Sequence, residues 1–331
     1  VRDKHINMKL RRLLTSLSVL GLLVVPSLAS AQEGAGQGLE ISPPLADIKA
    51  NPGESKTVQI YVRNVTNQTL IVSGEVNDFV AAGEDGQPKL LLEDGEDSPY
   101  SIKDWVKTLP KVTLAASERK AVSAVIDVPK DAGPGGHYGV IRFTGTPPEL
   151  EGTGVSLSAS VGTLVLVNVS GNVVEKAKVA EIYTANQKGK KQSVFEYGPI
   201  TIGLRLQNEG NVHFKPSGNV RVTNTWGKEV ATFKLNEQGS NVLPASVRKY
   251  EQKLDKKLLF GRYKVQADVV YGSGSTIISA TKVFWVIPYK LIVVALALIA
   301  LIIFLIRRYN RAIVKRAGKK QGQNAGKRKQ K

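Results

Sequence analysis

The sequence predicts an all-β chain: two tandem β-sandwiches followed by a single transmembrane α-helix. Three observations predict it. Between Leu39 and Val286, short runs with apolar residues at every second position alternate with turns rich in Gly, Pro and Asn, which is the pattern of half-buried strands. The two halves of this stretch repeat the same landmarks in the same order. An unbroken apolar run, Leu291 to Ile306, then gives way at once to Arg307-Arg308.

The bulk composition is compatible with that layout. The chain has 331 residues, room for two domains of ~150 residues. Its net charge of +18 is concentrated at the ends: residues 1–31 carry +4 and residues 307–331 carry +11, leaving +3 for residues 32–306. The basicity therefore belongs to targeting and topology, and no nucleic-acid partner is expected. There is no cysteine. Disulfides, thiol nucleophiles, zinc–thiolate sites and iron–sulfur clusters are excluded, and each sandwich must be held by its core alone. This fits bacterial export better than the eukaryotic secretory route.

Residues 1–31 read as a signal peptide. Lys9, Arg11 and Arg12 form a positive segment, Leu13 to Val25 an apolar stretch too short to span a bilayer, and Pro26 breaks it. Leu28-Ala29-Ser30-Ala31 then offers small residues at −3 and −1, placing cleavage between Ala31 and Gln32. Residues 32–38 form a flexible leader. The first sandwich is expected over 39–170, with strands through Val58, Ile60 and Val62, Leu70 to Val76, Val122 to Val128, His137 to Thr144 and Val155 to Val169. The second is expected over 171–288, with strands at 173–183, 199–207, 220–224, 229–235, 247–254, 262–271 and 277–286. Seven short strands with frequent turns are what an immunoglobulin-like sandwich needs.

The repeat reinforces the division. Leu114-Ala115-Ala116-Ser117-Glu118-Arg119-Lys120 matches Leu243-Pro244-Ala245-Ser246-Val247-Arg248-Lys249. Each is followed by an alternating strand, a turn and Gly-x-Tyr (Gly136-His137-Tyr138; Gly261-Arg262-Tyr263), and preceded by a strand ending in Asn (Asn64; Asn208). Two related domains meeting near Ser170-Gly171-Asn172 are predicted, each with a Tyr whose hydroxyl ties down a loop. Residues 289–306 form the membrane helix: the sixteen residues from Leu291 cover about 24 Å against a ~30 Å hydrocarbon core, with Trp285 and Tyr289 at the interface and Lys290 able to snorkel. The basic tail, 307–331, is placed in the cytoplasm by the positive-inside rule, and the sandwiches outside.

Several of these strings carry a resemblance. Trp105-Val106-Lys107, Leu109-Pro110-Lys111-Val112-Thr113-Leu114, Val128-Pro129-Lys130 and Gly136-His137-Tyr138, with the opening Ile41-Ser42-Pro43-Pro44 and Asn51-Pro52-Gly53-Glu54, resemble the WxL-interacting extracellular proteins of Gram-positive bacteria and their peptidoglycan-binding-type first domain. Asn208-Glu209-Gly210-Asn211-Val212-His213 and Val242-Leu243-Pro244-Ala245-Ser246 are similar to the second immunoglobulin-like domain of that family. The resemblance implies a non-catalytic cell-surface protein, integral to the membrane by a single span, that binds peptidoglycan or partner surface proteins.

No catalytic, cofactor-binding or metal-ligating residue is nominated. G-x-S-x-G, H-E-x-x-H, Walker and G-x-G-x-x-G motifs are missing, and His137 and His213 read as satisfied polar residues near turns. Glu84-Asp85-Gly86 and Glu93-Asp94-Gly95-Glu96-Asp97 lack the calcium-loop order and read as solvated loops. Tyr100 and Trp105, after the second of these, are the candidate ligand-face residues, since exposed aromatics stack on sugars or fill a partner's pocket; the competing expectation puts Trp105 in the core. A rival function is a structural or chaperone-like accessory role in assembling secreted or surface complexes, exchanging edge strands with its partners.

Overall fold

The computed structural model describes residues 38–93, 97–148 and 159–328. The expected signal segment, the Ala31–Gln32 junction and the leader up to residue 37 lie outside them. The chain is all-β up to Val286 and helical from Tyr289.

The first sandwich contains β1 (Leu39–Ser42), β2 (Leu45–Ala50), β3 (Ser55–Asn64), β4 (Leu70–Ala82), β5 (Gln87–Leu91), β6 (Val112–Leu114), β7 (Arg119–Asp127), β8 (Gly135–Thr146) and β9 (Ala159–Val169). One sheet runs β1-β3-β7; the other runs β2-β9-β8-β4-β5, with β6 paired to β4. In β3 the period is strict: Val58, Ile60 and Val62 are buried while Gln59, Tyr61 and Arg63 are exposed. With Val122, Ala124 and Ile126 of β7 they meet Val72, Ile141, Phe143, Val165 and Val167 from the facing sheet in one core.

The second sandwich contains β10 (Ala177–Ala185), β11 (Val194–Phe195), β12 (Ile200–Asn208), β13 (Ser217–Asn224), β14 (Glu229–Leu235), β15 (Val247–Leu254), β16 (Gly261–Tyr271) and β17 (Thr276–Val286). Its sheets run β10-β12-β15 and β11-β17-β16-β13-β14. They enclose a second core that includes Leu204, Leu206, Val222, Val265, Val269 and Phe284. The strand expected from Val173 starts only at Ala177, because Val174 and its neighbours bond to Asn211 instead: Val174 N–H is donated to Asn211 Oδ1 at 2.7 Å. The helix α1 (Tyr289–Arg328) continues well past the apolar run, and its stretch Tyr289–Arg311, whose most apolar 18-residue window has a mean hydropathy of 2.9, is long and apolar enough to cross a membrane.

The internal repeat is real in the fold but displaced by one residue from the sequence match. Asn64 N–H is donated to Glu118 O at 2.9 Å and Asn208 N–H to Ser246 O at 3.0 Å. Ser117 and Ala245 both adopt positive φ. Glu118 therefore corresponds to Ser246, not Val247. In both halves the Asn side chain closes the turn, Asn64 Nδ2 donating to Leu114 O (3.2 Å) and Asn208 Nδ2 to Val242 O (2.9 Å).

The same slip separates the two Gly-x-Tyr motifs. Gly135 and Gly261, both at positive φ, open β8 and β16, so Tyr263 corresponds to His137. A shift of one residue moves a strand side chain to the other face. Tyr263 points into its own core, stacked on Phe284 at 5.2 Å, and its hydroxyl ties Phe260 as expected. Tyr138 points out of its sandwich, into a separate apolar cluster with Phe79, Val140, Leu166 and, from the second sandwich, Leu243.

Candidate functional site

The two nominated aromatics are half-buried, each with packing partners. Trp105 ends a single 3-10 turn (Lys103–Trp105), packs against the first core and lies over the His137 ring, with centroids 4.4 Å apart. Burial pushes the His137 imidazole below its ordinary pKa, opposed by a hydrogen bond to Gly133 O. Tyr100 is half-buried beside Tyr138, 5.8 Å between centroids, and its carbonyl accepts the Tyr138 N–H. The structure gives both residues packing partners and leaves each partly exposed.

An open face exists elsewhere on the first sandwich, on the outer side of β1-β3-β7. The register sets Tyr61 opposite Ala121, Gln59 opposite Ser123, and Arg63 opposite Arg119. Ala121 is too small to cover the Tyr61 ring, which is 41% exposed. The Arg119 guanidinium lies 4.4 Å from that ring's centroid, and Arg63 reaches Glu40 of β1 at 3.5 Å. Tyr61, Arg63 and Arg119, with Glu40 and Ser42, line a shallow hollow of about 220 Å³. Below it Gln59 and Ser123 exchange hydrogen bonds. Two arginines directly across a strand pair repel by a few tenths of a kcal/mol to ~1 kcal/mol; Glu40 answers one of them. The hollow thus combines a partly exposed ring carrying the Arg119 guanidinium, a second forked donor and a spare positive charge, a set suited to a carboxylate beside a sugar. The signal for Tyr61 was present in the alternation of β3: residues that bury 58, 60 and 62 must present 59, 61 and 63.

The second polar assembly joins the two sandwiches. The Tyr138 hydroxyl accepts the buried backbone N–H of His213 at 3.0 Å and sits 3.3 Å from its Nδ1. His213 Nε2 is 3.2 Å from Asp47 Oδ1, and Lys215 Nζ is 3.2 Å from Oδ2. The network assigns a proton to Nε2, leaving Nδ1 to accept from Tyr138. The His213 hydrogen bond, supported by Lys215, holds the Asp47 carboxyl below its usual range, against a partial desolvation that would raise it; burial pushes the Tyr138 phenol up. Gly136 N–H is donated to Asn211 O at 2.7 Å, and a Cβ on Gly135 would lie 2.4 Å from that oxygen. At the other edge, Glu84 is clasped by the Arg205 guanidinium, and Lys249 N–H is donated to Glu84 O at 2.6 Å. The loop expected to be solvated is thus a strut between the sandwiches, which sequence reading missed because its partner lies 121 residues away. A polar cleft of about 680 Å³ opens beside Asp47 and Lys215. Among the described residues no group of three or more His, Cys, Asp or Glu side chains is placed to hold a metal ion.

The chain is a two-sandwich β protein whose C-terminal helix is long and apolar enough to cross a membrane. Residues 46–145, most of the first sandwich, match the family described as WxL Interacting Protein, peptidoglycan binding domain, and the chain resembles the WxL-interacting proteins. No curated protein sequence matches the chain. Solved structures similar to it include the class 5 fimbriae chaperone CfaA (13% identity, 75% of this chain and 99% of that one, TM-score 0.37). The E. coli chaperone DraB shares 18% identity over 75% of this chain and 96% of its own, with TM-score 0.35. A protein of unknown function from Porphyromonas gingivalis W83 shares 11% over 75% and 99%, with TM-score 0.30.

Proposed function

We propose that this chain is a non-catalytic, membrane-anchored cell-surface protein whose first sandwich binds peptidoglycan through the open face of β1-β3-β7. The observation that carries the reading is the family match over residues 46–145. The chemistry of the face supports it: Tyr61 offers a ring to glycan sugars, while Arg63 and Arg119 offer donors to stem-peptide carboxylates. In this reading the sandwiches divide near Ser170-Gly171, the body lies outside the membrane and the basic tail inside. Tethering keeps the face at high effective concentration beside the wall, so modest affinity suffices.

The test is co-sedimentation of residues 32–288 with purified sacculi and, separately, with detergent-solubilised envelope proteins. The parent is expected to sediment with sacculi, and Tyr61→Ala with Arg119→Ala to weaken binding by about tenfold or more, as loss of a central aromatic–arginine pair does at other interfaces. Salt should weaken it only modestly, because few basic contacts are involved. Failure to sediment with sacculi would overturn the ligand; undiminished sedimentation of the double variant would overturn the face; retention by envelope proteins alone would move the ligand to a surface partner.

A further inference from the structure

We propose that the helix-proximal end of the second sandwich rests in the headgroup layer of the bilayer, so that this sandwich stands on the membrane surface. The inference rests on α1 crossing a membrane and is independent of what the first sandwich binds.

Only Ile287 and Pro288 separate β17 from α1. Ile287 N–H is donated to Phe195 O at 2.8 Å and Ile292 N–H to Pro288 O at 3.0 Å, so the chain enters the helix without slack. Three other connections close on the same end. The 196–199 connection meets the 255–260 loop through Gly198 N–H donated to Lys257 O at 3.2 Å. The β13–β14 turn meets the start of β16 through Thr225 Oγ1 donated to Arg262 O at 3.0 Å. Lys290 of the helix reaches Glu196 at 2.9 Å.

These connections present apolar side chains that are mostly exposed. Leu258 is 89% exposed, Trp226 85%, Phe260 68% and Tyr197 60%; among the described residues outside α1 they are four of the five most exposed large apolar side chains. Their backbones are nevertheless held. The Trp226 N–H is donated to Asn224 Oδ1 at 3.1 Å, and the Phe260 N–H to the Tyr263 hydroxyl at 3.1 Å. Ordered loops that expose an indole, a phenyl, a phenol and a leucine together mark an interaction surface.

The occupant follows from position. Leu258, Phe260 and Leu291 line one groove of about 290 Å³, which puts the loop level with the first residue of the apolar run. Wherever Leu291 meets hydrocarbon, Phe260 and Leu258 meet the interface. Trp285 and Tyr289, also exposed, flank it, as aromatic residues do at headgroup depth. Exposed Lys228, Lys256, Lys257 and Arg262 surround the patch, the arrangement that draws a surface onto anionic lipid.

The experiment uses the full chain in phosphatidylcholine–phosphatidylglycerol vesicles, with and without acyl-chain-brominated phosphatidylcholine. The difference between the parent and Trp226→Phe isolates the Trp226 emission. Trp226 is expected to be quenched by the brominated lipid and to become several-fold less accessible to acrylamide than in denaturant. Leu258→Glu with Phe260→Glu should abolish the bromine quenching while vesicle association stays resistant to carbonate extraction. A Trp226 open to acrylamide and indifferent to bromine, in a carbonate-resistant chain, would overturn the proposal alone. Protection from acrylamide without bromine quenching would overturn it in favour of a second copy of the chain on this surface. Extraction of the parent by carbonate would remove the spanning helix itself.

Discussion

Removing one hydroxyl at the junction between the sandwiches should weaken the whole body. Tyr138 is 2% exposed, and its hydroxyl is the acceptor for the buried His213 N–H as well as the neighbour of Nδ1. Tyr138→Phe leaves the ring in its apolar cluster but strands a buried backbone donor and an imidazole nitrogen. An unsatisfied buried group costs ~1–3 kcal/mol. Part of this is offset because Phe is the easier side chain to bury, which leaves about 2 kcal/mol. For a body of this size 1 kcal/mol moves the melting midpoint by roughly 2–4 °C, so residues 38–288 should melt about 4–8 °C lower. The assay is thermal unfolding by circular dichroism on the parent, Tyr138→Phe, His213→Ala and the double variant. The two positions should couple only through the 3.3 Å hydroxyl–Nδ1 contact, by about 0.5–1 kcal/mol, because His213→Ala keeps the backbone N–H that Tyr138 accepts. Tyr263→Phe is the comparison: its hydroxyl ties only the Phe260 loop of its own sandwich and should cost less. A Tyr138→Phe midpoint within about 1 °C of the parent would refute the reasoning that this hydroxyl joins the sandwiches; additive effects at Tyr138 and His213 would leave the backbone N–H as its one partner across the junction.

Two further outcomes follow from the same junction. Asp47 has its carboxyl pKa depressed below 3.8, first by the His213 hydrogen bond and then by Lys215; its stabilising contribution is therefore complete above about pH 4 and is lost as pH falls through the folded value. Asp47→Asn should lower the unfolding midpoint at neutral pH, and the gap from the parent should narrow progressively below about pH 4; a constant gap down to about pH 2 would contradict the assignment. Gly136→Ala places a Cβ 1.8 Å from the Tyr138 hydroxyl oxygen, which must then leave His213. A loss similar to or larger than that of Tyr138→Phe is expected in the same melt, and a near-neutral effect would show that the ring has room to move.

Much of the fold was legible because burial in a strand has period two. Val58, Ile60 and Val62, the 122–128 run and Leu291 to Ile306 were read directly, and the structure buries the first two sets and exposes the third on a long helix. The strands that escaped notice are those whose partners are distant or whose residues do not alternate cleanly. Leu45–Ala50 contains Asp47 and Lys49, is buried at Ala46 and Ala50, and pairs in parallel with Leu164–Val169. Val194–Phe195 is a two-residue edge on β17. The Gly-x-Tyr pair shows a different limit. The two Gly-x-Tyr tripeptides take opposite faces because each strand starts one residue earlier or later relative to its Tyr, and the contacts of Gly136 and Tyr138 with Asn211 and His213 in the other sandwich, 75 residues on, are not visible in the local pattern.

The open face of the first sandwich illustrates why a ligand surface on a sheet is harder to read than its core. The inward set can be recognised from one strand, because apolar residues at alternate positions have one destination. The outward set acquires meaning only through its neighbours across the ladder. Tyr61 by itself is a surface tyrosine, and Arg63 and Arg119 are two of many arginines. The register brings Arg63 and Arg119 opposite one another and gives Tyr61 an alanine for a neighbour, and that register is set by a strand that begins 55 residues after Asn64 along the chain. A like-charged pair across a ladder costs the sheet stability, and a larger side chain at Ala121 would cover ring surface that here faces solvent. The Arg119–Tyr61 and Arg63–Glu40 contacts return part of that cost. The paired arginines and the small Ala121 both make sense if the face meets an anion beside a ring-stacking group, which is why the substitutions at Tyr61 and Arg119 are the ones on which the binding proposal stands.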